Sequence, residues 1–175
     1  MKCTELLTQD HKAILRALDV LQQMADRVEN HQSIEHDDVE TILRFLRSFA
    51  DDYHQGKEES ALFPELRRTK NIYDPALRQM LFEHDQERSL VEAIEDALFT
   101  KKGPEFVHFA RRFVDLIRTH VKKEDCILFE IVERSLSPDQ DEKVVAGFDK
   151  FEISPLFLAE LRELEWKYMR KAGVA

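Results

Sequence analysis

Glycine and proline are scarce, with four and five in 175 residues, too few for the tight turns an all-β fold spends roughly every 8–12 residues. Cysteine is scarcer still. Cys3 and Cys126 cannot build a disulfide framework or a thiolate zinc site, so both are expected as reduced thiols and any chemistry falls to nitrogen and oxygen. No stretch approaches the roughly 18 consecutive apolar residues of a membrane span, and Met1 to Lys12 mixes polar with apolar residues where a signal peptide needs a continuous apolar segment. The expectation is a soluble cytoplasmic protein with no membrane partner. Basic blocks are absent too. A formal charge of -9 and a pI near 5.3 oppose a phosphate backbone, which is bound through clustered Lys and Arg, so no nucleic-acid partner is expected.

What the chain does have is 35% charged residues with abundant Leu, Ala, Glu, Lys and Arg, the composition of helices. Its length fits one domain with room for a sizeable core. A period near 3.6 places Leu7, His11, Ile14, Leu18, Leu21 and Ala25 on one face of a first helix, about residues 4 to 29, with Thr4 as its start. Leu43, Leu46, Ala50, His54, Glu58 and Ala61 line a second, which Pro64 is expected to limit or kink. Asp74-Pro75 reads as a cap and first turn, opening a third helix with Leu77, Leu81, His84, Val91, Ile94 and Leu98 inward, ended by Lys101 to Pro104. The fourth, about 105 to 135, carries Phe109, Phe113, Leu116, His120, Glu124, Ile127 and Ile131. The fold class is therefore all-α, an antiparallel up-down-up-down four-helix bundle over residues 1–137. Residues 138–175, with Val144, Phe148, Phe151, Leu158, Leu161 and Leu164, read as a short helical extension packed on it.

Polar residues interrupt the apolar stripes at matching depths. His54 and Glu58 lie one turn apart in YHQGKEESALFP, and His120 and Glu124 repeat that spacing in THVKKEDCILFE. His11 and His84 each lie roughly 10–15 Å in from their helix starts at 1.5 Å per residue, and the two pairs lie at comparable depth from the other ends. Six polar side chains thus converge on one level of the core. Burying four imidazoles and two carboxylates unpartnered costs several kcal/mol per ion, and a metal removes that cost. Imidazole with carboxylate suits iron, manganese and zinc; calcium wants oxygen alone, and structural zinc closes with four ligands, often Cys. Two bridging carboxylates suit two ions, each with two histidines. With one solvent bridge each ion has five ligands and one open position, where small molecules bind.

The order of Asp10-His11, HQGKEESALFP, Glu83-His84 through Arg88, and HVKKEDCILFE resembles the hemerythrin-like, or HHE cation-binding, family over about residues 4 to 136. The resemblance implies a four-helix bundle with a non-haem di-iron centre, oxo- or hydroxo-bridged, ligated by His11, His54, Glu58, His84, His120 and Glu124. It implies O₂ or NO as the small ligand, in sensing, scavenging or repair of iron centres; a di-iron oxidase or peroxide-reducing enzyme, or a non-catalytic metal-binding bundle, are the other readings. Oxygen-carrying members place a second histidine one turn from the first on the third helix, whereas His84 has Met80 and Arg88 at that spacing. Reversible oxygen carriage is therefore not expected. Zinc, manganese or nickel can stand in for iron in isolated protein, since affinity rises along the series toward copper and then falls at zinc, and expression history decides occupancy.

The remaining chemistry-bearing residues get plainer readings. Glu87 and Arg88, a turn beyond His84, read first as an ion pair, and otherwise as source of an extra ligand or of a hydrogen bond to one. Glu59 is expected in solvent and Tyr53 at the core edge. His31 and His36 fall in a polar connection. Glu105 and His108 form a single E-x-x-H at the wrong end of the bundle, and Cys126, about 240° around its helix from His120, gets a structural role.

Overall fold

The computed structural model of the protein describes residues 1–69 and 74–169. Six helical rods build it: α1 (Cys3–Glu29), α2 (residues 36–68), α3 (Asp74–Phe99), α4 (residues 103–135), α5 (Pro138–Phe148) and α6 (Leu156–Tyr168). Among the described residues there is no strand, and no helix is long and apolar enough to cross a membrane.

Contacts along the rods fix how they run. Asp26 meets Arg111, Asp19 meets Arg118, His11 meets Asp125 and Thr4 meets Glu133, so α1 and α4 lie antiparallel. Arg47 meets Glu95, Asp51 meets Arg88 and Glu59 meets His84, giving α2 and α3 the same relation. The apolar faces form two slabs. The larger contains Leu18, Leu21, Met24, Ile42, Phe45, Ile94, Phe106 and Ala110, and takes in Leu161, Leu164 and Tyr168 of α6. The smaller contains Leu7, Leu62, Phe63, Leu66, Leu77, Met80, Leu128 and Phe129, closed by Val144 and Phe148 of α5.

Several local expectations change. α1 starts at Cys3: the Glu5 carboxylate accepts from the Lys2 backbone N–H at 2.8 Å, and Thr4 is buried, donating its hydroxyl to Glu133 at 3.0 Å. Pro64 neither ends nor limits α2, which runs to Arg68; the proline occupies the first turn of the segment Phe63–Arg68, where its missing N–H costs least. α4 starts at Gly103, two residues early, because Lys101 takes the left-handed conformation (φ 55°) that turns the chain. The Asp74 cap lies outside the described side chains. Ser137 caps α5, accepting from Gln140 N–H at 3.3 Å.

Two rods are wider than an α-helix in places. Leu46–Gln55 and Glu58–Leu62 of α2, and Glu124–Leu128 of α4, have π-helical hydrogen bonding. The sequence carries the reason: buried Leu46, Ala50, His54, Glu58 and Leu62 recur every four residues. On an ordinary α-helix such a series drifts around the axis; a wider turn keeps it on one face. Buried His120, Glu124, Leu128 and Val132 repeat the arrangement on α4.

Candidate metal centre

Between the two apolar slabs lies one polar layer. His11, His54, Glu58, His84, His120 and Glu124 all sit in it, each no more than 3% exposed. The structure thus brings together all six residues singled out by spacing. They form two overlapping donor groups, His11, His54, Glu58 and Glu124 on one side and Glu58, His84, His120 and Glu124 on the other, both glutamates belonging to each.

The imidazoles face inward through Nε2. The Nε2 atoms of His11 and His54 are 3.1 Å apart, as are those of His84 and His120. His11 Nε2 lies 3.2 Å from Glu124 Oε2, and His120 Nε2 lies 3.2 Å from Glu124 Oε1. Glu58 Oε2 is 3.8 Å from His54 Nε2 and 3.6 Å from His84 Nε2. Two donors sharing one ion at ~2.1 Å each, about a right angle apart, stand ~3 Å from one another, so these separations fit ion-sharing pairs. All four carboxylate oxygens of Glu58 and Glu124 are buried without a hydrogen-bond partner. An orphaned buried carboxylate is costly, and a bound cation is the partner this donor set accepts.

The outward Nδ1 atoms reveal residues that the periodicity did not. His11 Nδ1 donates to Asp125 at 2.8 Å, His84 to Glu59 at 2.7 Å, His120 to Glu83 at 2.9 Å and His54 to Asp10 at 3.4 Å. Such bonds fix each ring's tautomer and turn the Nε2 lone pair toward the centre. They also close a ring around the bundle: Asp10 of α1 holds His54 of α2, Glu59 of α2 holds His84 of α3, Glu83 of α3 holds His120 of α4, and Asp125 of α4 holds His11 of α1. Each outer acid is the immediate sequence neighbour of an inner residue, in Asp10-His11, Glu58-Glu59, Glu83-His84 and Glu124-Asp125. That adjacency was the available signal.

Aromatic rings finish the walls. Phe129 stacks on His11 at 5.5 Å between centroids, and Phe63 on His84 at 6.0 Å. These phenylalanines end the two repeated motifs, which explains why both copies close with Leu-Phe. Lys57 is buried, its ammonium 2.9 Å from Asp10 and 3.4 Å from the Tyr53 ring centre.

Without an ion, the layer divides its charge unevenly. Burial and the nearby Glu124 push the Glu58 carboxyl far above its usual range. Burial also acts against Glu124, but His120 and His11 overcome it and hold that carboxylate well below its usual range. Burial pulls His11 down, yet its bond to Asp125 and the nearby charge of Glu124 leave it raised to about 9. His120 is raised for the same kind of reason, through Glu124 and Glu83 against burial. Burial dominates at His54, lowered to about 4. Glu59, held by His84 and Arg88 against burial, falls to about 2; Glu83, despite burial, is taken to about 2 by His120, Lys123 and Gln79.

Other expectations change here. Glu59 is not a solvent residue: it supports His84 and accepts from Arg88 at 2.7 Å. Glu87 and Arg88 do not pair with each other. Glu87 is buried against the Gln55 amide, and Arg88 binds Asp51 at 2.8 Å, because the two side chains leave α3 in directions about 100° apart. Cys126 is exposed, not buried as a structural role would have it. Tyr53 lies at the core edge and His31 and His36 are exposed, as read from sequence; Glu105 and His108 are exposed too.

Comparison with known proteins bears on this geometry. Residues 3–132 match the family described as Hemerythrin HHE cation binding domain. The chain is also 29% identical over 96 residues to a protein named DNA nickase from Nostoc sp. (strain PCC 7120 / SAG 25.82 / UTEX 2576), a match covering 54% of this chain and 26% of that protein. The chain thus spans well under a third of that relative's length. No solved structure matches.

Proposed function

Because the chain belongs to the hemerythrin HHE cation-binding domain family, we propose that its metal-binding layer holds two iron ions and that the protein binds or reacts with O₂ or NO, as sensor, scavenger or repair factor for iron centres. In this reading residues 1–137 form the up-down-up-down four-helix bundle and residues 138–175 an extension on it. His11, His54, Glu58 and Glu124 hold one ion, and Glu58, His84, His120 and Glu124 the other. The pair supplies one-electron redox chemistry and positions where a diatomic molecule binds. One observation carries the assignment: four buried, unpartnered carboxylate oxygens face four imidazole nitrogens, in two groups that share both glutamates.

The chain's own residues do the rest. Asp10, Glu59, Glu83 and Asp125 orient the rings, Phe63 and Phe129 stack on His84 and His11, and Glu58 and Glu124 would serve both ions, since each belongs to both donor groups. Met80 and Arg88 flank His84 at the one-turn spacing where oxygen-carrying relatives place a further histidine, and Arg88 is engaged with Asp51 and Glu59, which supports reaction or sensing over reversible carriage. The charge of -9 supports a partner other than DNA, whatever the Nostoc protein nicks. An exposed free thiol at Cys126 fits a reducing, cytoplasmic setting.

The test is elemental analysis of protein from iron-supplemented cells, then absorption spectra of the reduced protein with O₂ and with NO. Two irons per chain and a new band with either gas are expected. A chain without iron, or an oxygenated band that reverts under vacuum without oxidation, refutes the reading.

A further inference from the structure

The two halves of the metal layer follow one plan. α1 contributes Asp10-His11 and α3 contributes Glu83-His84; α2 adds His54 with Lys57-Glu58, and α4 adds His120 with Lys123-Glu124. In each half the acid that precedes a histidine receives both the imidazole and the lysine of the next rod. Asp10 receives His54 and Lys57, and Glu83 receives His120 and Lys123.

The halves differ in how that acid is shared. On Glu83 the donors take separate oxygens, His120 Nδ1 reaching Oε2 at 2.9 Å and Lys123 reaching Oε1. On Asp10 both converge on Oδ2, where Lys57 Nζ stands at 2.9 Å and His54 Nδ1 at 3.4 Å. The bonds behind His11 and His84 do not distinguish the halves, at 2.8 and 2.7 Å; Arg88 adds a cation on Glu59, but Asp51 and Asp85 offset it. The lysines differ as well. The Lys123 side chain is 37% exposed and screened by water, whereas that of Lys57 is 5% exposed, set against Asp10 and the face of the Tyr53 ring. A buried ammonium repels a nearby cation more strongly than a hydrated one does, and it neutralises the carboxylate that would otherwise make His54 the better donor. Glu87, three residues after His84, also brings a carboxyl oxygen to 3.9 Å from His120 Nδ1, whereas three residues after His11 the chain has Ile14.

We propose that Lys57 makes the two ion positions unequal, so that the ion held through His11 and His54 exchanges readily while the one held through His84 and His120 stays. Lys57 is a positioning residue: it acts through Asp10 and His54 and is not itself a ligand. The protein therefore passes through a one-ion state whenever metal is gained or lost. This rests on the two-ion reading, but on neither iron nor the chemistry of a gas.

The full chain, loaded with Co(II) as a first-row divalent ion that nitrogen and oxygen ligands accept, is titrated with nitrilotriacetate, and the cobalt retained is followed by elemental analysis and visible spectrum. Two steps of loss are expected, the second needing at least about tenfold more chelator. His54→Ala should keep one ion that resists as the second step does, and His120→Ala one ion that leaves as in the first. Lys57→Met removes the charge and keeps a side chain of similar length between Tyr53 and Phe148; it should hold its first ion about tenfold more firmly, whereas a merely structural lysine would loosen it when replaced. Should that variant not fold, Asp10→Glu, whose longer side chain can offer imidazole and lysine separate oxygens as Glu83 does, should bring the two steps within about threefold. Loss of both ions in one step, first loss from the His84 and His120 side, or a first ion that leaves Lys57→Met or Asp10→Glu as easily as before each overturns the proposal. A chain that never holds two ions overturns the two-ion reading, and this proposal with it.

Discussion

The two H-x-x-x-E copies start from the same pattern and end in different surroundings. On α2, His54 and Glu58 are backed by the extension: a Cβ on Gly56 would meet the Phe151 ring at 2.6 Å, and one on Gly147 would meet Ala61 at 2.8 Å. Between them Lys57 is buried against Asp10. On α4, the residues around His120 and Glu124 look outward, with Lys122, Cys126 and Ile127 exposed and Asp125 33% exposed. Yet both copies widen into a π-helical turn and close on a stacked phenylalanine. The inner geometry is set by the pattern itself, whereas the outer support depends on what each rod lies against. The α2 copy is clamped and the α4 copy is open.

The strongest challenge to that symmetry of the inner layer is removal of a shared ligand. Glu58→Ala and Glu124→Ala should each lose nearly all bound metal and much thermal stability, because binding energy is shared with folding, whereas His54→Ala should lose mainly one ion. Elemental analysis with thermal unfolding checks this, and full metal content in both glutamate variants would show that the layer is not what holds the ions.

Next in size is pH. In metal-free protein the raised His11, at about 9 against an ordinary 6.5, contributes stability that is fully present below pH 6.5 and gone by about 9. His54, lowered to about 4, works the other way, costing stability as pH falls from 6.5 toward 4. Metal must displace the protons held by His11, His120 and Glu58, so affinity should climb between pH 7 and 9, by about tenfold per pH unit for each proton displaced. Metal-free melting points should therefore fall over the range in which chelator competition shows tighter binding. A flat affinity would mean that these raised groups are not ligands.

The outer acids sharpen the contrast between clamped and open copies. Asp10→Asn should weaken metal binding by about 10–100-fold, and Asp125→Asn by less, since water reaches that half-buried position; equal losses would erase the distinction. The smallest effect comes from the clamp alone. Gly56→Ala should destabilise by about 1–3 kcal/mol through its contact with Phe151, with Phe151→Ala relieving the overlap, while Lys122→Ala, its α4 counterpart, should stay within about 0.5 kcal/mol.

How much of this could be read beforehand follows from which contacts are made within one rod. The helices and the six inner residues announce themselves by spacing along single rods, and spacing is what a sequence displays. The carboxylates around them are contacts between rods. Glu59 leaves its helix about 100° from Glu58 and looks solvent-bound until α3 is placed beside it; Glu83 and Asp125 are hidden in the same way. Glu87 and Arg88 read as a pair because they are adjacent, yet a helix points adjacent side chains apart. The widened turns were half visible in the sustained four-residue spacing, which a strict 3.6 period does not sustain. Pro64 misleads because its rule concerns helix interiors, and here it opens a fresh segment.

The ring of outer acids has a consequence for assembly. Every rod both offers a carboxylate to the next and receives one from the last, so sliding any rod by a single residue along its neighbours would uncouple two histidines at once, on either side of it. Greasy surfaces tolerate such slippage; this circle of hand-offs does not, and it keys all four rods into one alignment before any ion arrives.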